Sequence, residues 1–317
     1  MRPPTLADIR AAAERIGPHA HRTPVLTCHA LDAMTGARLF FKCENFQKVG
    51  AFKFRGACNA VLLLSDEEAA RGVATHSSGN HAAALALAAR LRGIPAHIVM
   101  PRNARAVKRS AVAGYGGEIE FCEPTLAARE ATLAEVVART GAAVIHPYND
   151  ARVIAGQGTA ALELLHECPD LNVLIAPVGG GGLLSGTALA ASGLAPHAKV
   201  YGAEPLGADD ACRSLKEGRI VPSIEPKTMA DGLLTSLGTL TFEVIRRHVA
   251  DILTVSEGAI AAAMRLVWER MKIIIEPSAA VPVAALLEHG EVARDRRIGV
   301  ILSGGNVDLG ALPWGHA

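Results

Sequence analysis

From residue 72 onward, short apolar runs of strand character alternate with longer segments whose apolar residues recur at helical spacing. Residues 73–76, 96–100, 118–122 and 143–146 read as strands. Residues 80–91, 104–113 and 126–139 between them read as helices. The scheme returns in the second half without visible sequence repetition. There, strands are predicted at 173–176, 200–203, 252–255 and 298–302, and helices at 156–166, 183–191, 242–248, 260–271 and 279–287. Ahead of both, residues 5–16 form an amphipathic pattern with Thr5 as a possible N-cap. An extended Thr-Pro step follows, then a strand at 39–43 and a helix at 54–64, while residues 205–229 read as loop-rich. Such alternation predicts an α/β fold with mostly parallel sheets joined by crossover helices. No low-complexity linker interrupts it. A small domain over residues 71–148, set into a large domain made of 1–70 and 149–317, is therefore expected.

Composition narrows the partners. The 317 residues are 50% apolar and 20% charged with a net charge of +1, and no block of like charge stands out. Nucleic acid is not expected as a partner, because phosphate binding needs a basic stripe. A membrane is not expected either: no apolar run reaches spanning length, and residues 1–10 lack the apolar core of a signal peptide. Six scattered cysteines (Cys28, Cys43, Cys58, Cys122, Cys168, Cys212) with no CxxC pair suit reduced thiols in a cytoplasmic enzyme.

Four stretches could carry chemistry. In residues 40–56, FFKCENFQKVGAFKFRG, Lys53 stands between Phe52 and Phe54. A lysine stripped of water loses proton affinity and becomes a nucleophile toward carbonyls; a surface lysine with a buried stem gives the same pattern. Ser77, Ser78, Gly79, Asn80 and His81 lie between a predicted strand and helix, where hydroxyls, a carboxamide and free amides could hold a carboxylate or simply cap the helix. Gly179, Gly180, Gly181 and Gly182 follow the strand VLIAP and open a helix, the design of a phosphate cradle. The spacing is neither GxGxxG nor GxxxxGK[ST]. Ser303, at the end of IGVIL, offers a hydroxyl for a ring nitrogen or for a turn cap. A reactive lysine, a phosphate cradle and a hydroxyl for a pyridine nitrogen together point to pyridoxal phosphate. A serine rather than an aspartate at that nitrogen suits β-elimination better than transamination.

With those residues, the chain resembles the fold type II pyridoxal-phosphate enzymes, specifically the serine/threonine dehydratase and serine racemase group. The matching pieces run in order over nearly the whole chain: FKCENFQKVGAFKFRG, SSGNHAAALA, HPYNDARVIAGQGTAALE, PVGGGGLLSG, YGAEPLGADDA, ADGLLTSLG, IIEPSAAV and LSGGN. The resemblance implies two three-layer domains of tryptophan synthase β type, a homodimer, and a small domain that closes over the substrate. It implies β-elimination of a β-hydroxy amino acid such as serine or threonine to a 2-oxo acid and ammonia, with serine racemisation or threo-3-hydroxyaspartate dehydration as alternatives. Lys53 corresponds to the Schiff-base lysine and Phe52 to a residue packed on the ring. Asn80 corresponds to the partner of the ring's phenolic oxygen, Gly179 to Gly182 to the phosphate site, Ser303 to the partner of the pyridine nitrogen, and Glu276 to a group near the ring. Ser77 to His81 correspond to the α-carboxylate loop, in which Ser78 is the racemase acid/base on the opposite face.

Glu204, Ala208 and Asp210 match the group's divalent-cation site, for Mg²⁺ or Ca²⁺; without the family they read as an acidic surface loop. Arg129 matches an arginine near the racemase pocket mouth, where it could pair with a second carboxylate; a solvated helix arginine is the other reading. Two departures stand out. Ala82 replaces a common glycine, and Tyr148-Asn149-Asp150 replaces the Asn-Gln frequent in racemases.

Overall fold

The apolar runs fold into strands β1 (Val25–Leu26), β2 (Arg38–Cys43), β3 (Val73–His76), β4 (Ala96–Pro101), β5 (Glu118–Cys122), β6 (Ala143–Val144), β7 (Val173–Pro177), β8 (Lys199–Pro205), β9 (Asp251–Val255) and β10 (Arg297–Leu302). The structure is a computed structural model that describes residues 2–77, 79–104 and 106–314. The strands form a six-stranded sheet of order β1-β2-β10-β7-β8-β9 and a four-stranded sheet of order β5-β4-β3-β6. Every pairing is parallel except β1 with β2.

The central strands of both sheets are buried on both faces, which is why they read as nearly continuous apolar runs, whereas the edge strands β5 and β6 are largely exposed. In β7, Leu174 and Ala176 pack with Ile9, Ile154, Leu184 and Val244, whereas Val173 and Ile175 pack with Leu31, Ile260 and Val281. In the smaller sheet, Val73, Ile98 and Met100 join Phe54 and the alanines of the helix Asn80–Arg92. Ala74 and Val99 join Leu133 and Val136 on the opposite face. Each sheet is thus the middle of three layers, and the protein is α/β with mostly parallel sheets.

Several boundaries move for tertiary reasons. The helix expected from residue 156 begins at Ala151, because Asp150 caps it through Arg152 N at 2.8 Å. The strand expected over 143–146 pairs only at Ala143–Val144, and His146 belongs to a loop. The loop-rich stretch 205–229 contains the helix Asp210–Glu217, whose first amides are capped by Glu204 from the preceding strand. Short helices at His29–Thr35 and Asp66–Ala70 were not signalled by periodicity. All six cysteines are free and buried. Among the described residues, no helix is long and apolar enough to cross a membrane.

Candidate active site

Lys53 opens the helix Lys53–Leu62, and its position is set from three sides. Ahead of it, Ala51 bridges to Gly304, and Phe52 N donates to the Ser303 carbonyl at 3.0 Å. Below it, the helix crosses Ala151–Glu167 where Gly56 meets Gly156; a Cβ on Gly156 would lie 2.6 Å from Gly56 Cα. Behind it, Arg55 is wholly buried between Glu44 (2.7 Å) and Glu163 (2.7 Å), and Lys42 completes the set at 2.6 Å from Glu163. Two cations and two carboxylates balance there, which allows them to stay buried.

The Lys53 ammonium donates to the Pro147 carbonyl at 2.9 Å and sits 5.0 Å from the Phe52 ring centre. Burial pulls its pKa down to about 8, and the Glu276 carboxylate opposes that fall. The expected flanking by two phenylalanines is corrected. Phe54 turns into the core beneath the smaller sheet, because neighbouring positions on a helix point in different directions, and only Phe52 faces the amine.

Each glycine of the run has its own steric reason. A Cβ on Gly179 would meet Leu233 Cα at 2.9 Å. One on Gly180 would enter the Tyr148 ring, and one on Gly182 would meet the Tyr148 Cβ at 3.0 Å. Gly181 has φ +87° and precedes the helix Gly182–Leu194. Thr241 Oγ1 donates to the Gly180 carbonyl at 2.8 Å from the far side. Tyr148 follows Pro147, so the run and the Lys53 amine meet across adjacent residues.

Asn80 Nδ2 lies 3.1 Å from both Glu276 oxygens, and Asn306 donates to Asn80 Oδ1 (3.0 Å) and to the Val49 carbonyl (2.7 Å). Asn306 N also donates to Glu276 (3.2 Å), and Glu276 N donates to the Gly304 carbonyl (3.0 Å). Burial raises the Glu276 pKa to about 7. Buried Ser303 stands beside this network, one residue before Gly304.

Among the described carboxylate-loop residues, the side chains do not all face one point. Ser77 and Gly79 lie at the β3 end, with Gly79 N donating to Ser77 Oγ at 3.4 Å. His81 is buried, with Nε2 bonded to the Ile145 carbonyl at 3.1 Å, so its ring faces the interior and not the loop. Burial lowers its pKa to about 3. Ser78 lies outside the described residues. Arg129, half-buried on the helix Leu126–Thr140, is close enough to His76 to help burial depress that imidazole's pKa.

Glu204 and Asp210 come together far from the chain order of the other groups. Glu204 is fully buried and accepts from Ala211 N (3.0 Å) and Cys212 N (2.9 Å). Asp210 is buried, and among the described residues neither of its oxygens meets hydrogen-bond geometry, although the Ser223 hydroxyl lies close enough to pull its pKa down against burial. Burial pushes Glu204 up to about 9 and Asp210 up to about 6. Ala208 ends the turn between them. No cluster of three or more His, Cys, Asp or Glu with metal-binding spacing occurs among the described residues.

Residues 16–304 match the family described as "Pyridoxal-phosphate dependent enzyme". The chain belongs to this family. It is 55% identical over 311 residues to a beta-hydroxyaspartate dehydratase of Paracoccus denitrificans, covering 98% of this chain and 99% of that one. It is 50% identical to a serine racemase of Arabidopsis thaliana, covering 97% and 94%. The solved serine racemase of Dictyostelium discoideum superposes with a TM-score of 0.93 at 49% identity, covering 96% and 99%.

The residues fit pyridoxal phosphate. Lys53 offers a partly neutral amine, and the backbone at Gly179 to Gly182 has no side chain in the way of a phosphate. The Asp210 oxygens fit a hard cation, which would offset the burial that raises both the Glu204 and the Asp210 carboxyls. Sequence reasoning missed Pro147 as the lysine's partner, Thr241 behind Gly180, and the ring of Tyr148 on the glycines. The unusual tyrosine after HP was the only signal for the last.

Proposed function

We propose that this enzyme removes water from a β-hydroxy α-amino acid to give a 2-oxo acid and ammonia, and that its preferred substrate carries a second carboxylate, as 3-hydroxyaspartate does. The carrying observation is Lys53: an amine of pKa about 8 where the glycine run and the 303–306 segment converge. Lys53, Phe52, Asn80, Glu276, Ser303 and the amides of Gly179 to Gly182 would hold the cofactor. Bound pyridoxal phosphate supplies an electron sink for the charge left when the α-proton departs. Lys53 Nζ receives that proton. The loop ahead of the helix Asn80–Arg92 holds the α-carboxylate in the field of the helix N-terminus. The water lost from the β-carbon and the water taken up on releasing ammonia cancel in the overall balance.

Arg129, near His76 at the β3 end, would take the second carboxylate. The similarity to the Paracoccus protein supports that choice. Serine racemisation is the second reading, supported by the similarity to the Arabidopsis protein and requiring Ser78 as the opposite-face acid/base. One assay with L-serine, L-threonine and threo-3-hydroxyaspartate, following 2-oxo acids and D-serine together, separates them. A higher kcat/KM on hydroxyaspartate, lost in Arg129→Ala, supports the dicarboxylate reading; D-serine as the main product overturns it.

A divalent cation held by Glu204, Asp210 and the Ala208 carbonyl belongs to the same proposal. Chelation should lower the melting temperature of the wild type and leave Asp210→Asn unmoved. An unchanged wild-type melt with no metal in the protein removes the site. A homodimer is proposed from the family alone, and a cytoplasmic location from the scattered cysteines; sedimentation at micromolar concentration tests the dimer.

A further inference from the structure

We infer that Tyr148 is a positioning residue that sets the spacing between the Lys53 amine and the glycine run. The inference rests on the enzyme holding pyridoxal phosphate at those two places. The cofactor's aldehyde and phosphate are substituents of one rigid ring, so the protein's two anchors must be held at one separation. Among the described residues, the 147–148 pair touches both. The Pro147 carbonyl holds Lys53 Nζ at 2.9 Å, and the next side chain lies flat against the position where Gly180 would carry a Cβ.

The tyrosine is itself clamped. The His146 ring meets it edge-on, with centres 4.6 Å apart and planes at 90°. His146 Nδ1 accepts from Tyr148 N (3.3 Å) and Asn149 N (2.9 Å), which fixes both the imidazole tautomer and the turn of the loop. Asn149 ties the loop outward, accepting from Leu240 N at 2.9 Å and donating to Thr239 Oγ1 at 3.3 Å. Gly180 is held from behind by Thr241, three residues into the same helix start. Tyr148 therefore packs as a spacer between two braced segments, and its flat face is what a side-chain-free peptide can lie against. Its phenol lies close enough to the Thr235 side chain for that group to lower its pKa against burial, and the spacer role asks nothing of the phenol in the chemistry.

The test uses purified holoenzyme of the wild type, Tyr148→Phe, Tyr148→Leu and Tyr148→Ala. Cofactor dissociation is followed by absorbance on dilution, together with the melting temperature of the cofactor-free forms and kcat and KM. Misplaced anchors should release cofactor at least about tenfold faster in Tyr148→Ala, with an intermediate effect in Tyr148→Leu. Tyr148→Phe keeps the flat ring and should retain wild-type release. The cofactor-free melting temperatures of the Phe and Leu variants should stay close to wild type, which separates spacing from general destabilisation. Wild-type cofactor release in Tyr148→Leu, or loss in Tyr148→Phe equal to that in Tyr148→Ala, overturns the spacer role. A wild-type protein that binds no pyridoxal phosphate overturns the underlying reading instead, and shows it before any variant is made.

Discussion

Lys53 shows how far one side chain's chemistry depends on its surroundings. Its pKa of about 8 lies below the ordinary lysine value of 10.5, so the unfolded chain binds more protons than the folded one between those values. Folding stability from this site therefore rises as pH climbs from about 8 toward 10.5, and the burial cost is fully present below 8. Capture of pyridoxal phosphate by the cofactor-free protein needs the neutral amine, so its rate should climb with pH through about 8. Glu276 opposes the depression, so Glu276→Gln should move that profile to lower pH; a profile shifted upward would contradict the assigned sign. Lys53→Ala should lose turnover and the cofactor absorbance band together. Lys53 and the four glycines were singled out from sequence only in combination, because a lysine between phenylalanines also reads as a surface lysine, and it was the glycine run and Ser303 beside it that pointed to one ligand. The inward turn of His81 was not legible, since its partner is the carbonyl of Ile145, which only the folded sheet brings near.

Among the elements, the central strands β3, β7 and β10 were read to within a residue because burial on both faces makes a strand apolar throughout, while the edge strands β1 and β6 were missed or overrun. Helix starts were read less well, because caps such as Asp150 and Glu204 act through polar atoms that periodicity ignores. The helices that carry the site cross at glycines. Gly56 meets Gly156, and a Cβ on Gly186 would fall 2.5 Å from Gly158 N. These contacts hold Lys53–Leu62 against Ala151–Glu167, and that helix against Gly182–Leu194, so they bring the lysine's helix alongside the helix that follows the glycine run. Gly156→Ala should cost on the order of 1–3 kcal/mol in a urea melt, because backbone faces the new methyl. Gly290→Ala, where a Cβ meets nothing within 4 Å, is the control and should melt close to wild type.

Across the whole molecule, an ion pair links the smaller sheet's helices to the larger sheet's loops. Lys108, on the helix Ala106–Gly114, lies 2.6 Å from Asp231, two residues before the Leu233 that backs Gly179. Both side chains are partly exposed, so the pair is worth at most about 1 kcal/mol. Lys108→Ala should raise KM by no more than about fivefold with little change in melting temperature. The charge-swapped double variant should recover part of the loss, and no recovery would assign the effect to something other than the pair.

Local pattern was enough to specify the α/β alternation and the parallel pairing, and to mark Lys53 and Gly179 to Gly182 as candidate cofactor residues, because period, small residues and backbone freedom are written position by position. Tertiary structure alone decided that Asn80, Glu276 and Asn306 form one network, that Glu204 and Asp210 share a buried space, and that Tyr148 stands between lysine and glycine. Asn80, Glu276 and Asn306 lie far apart along the chain, and the protonation and contacts of all these groups follow from burial, which exists only once the layers have closed.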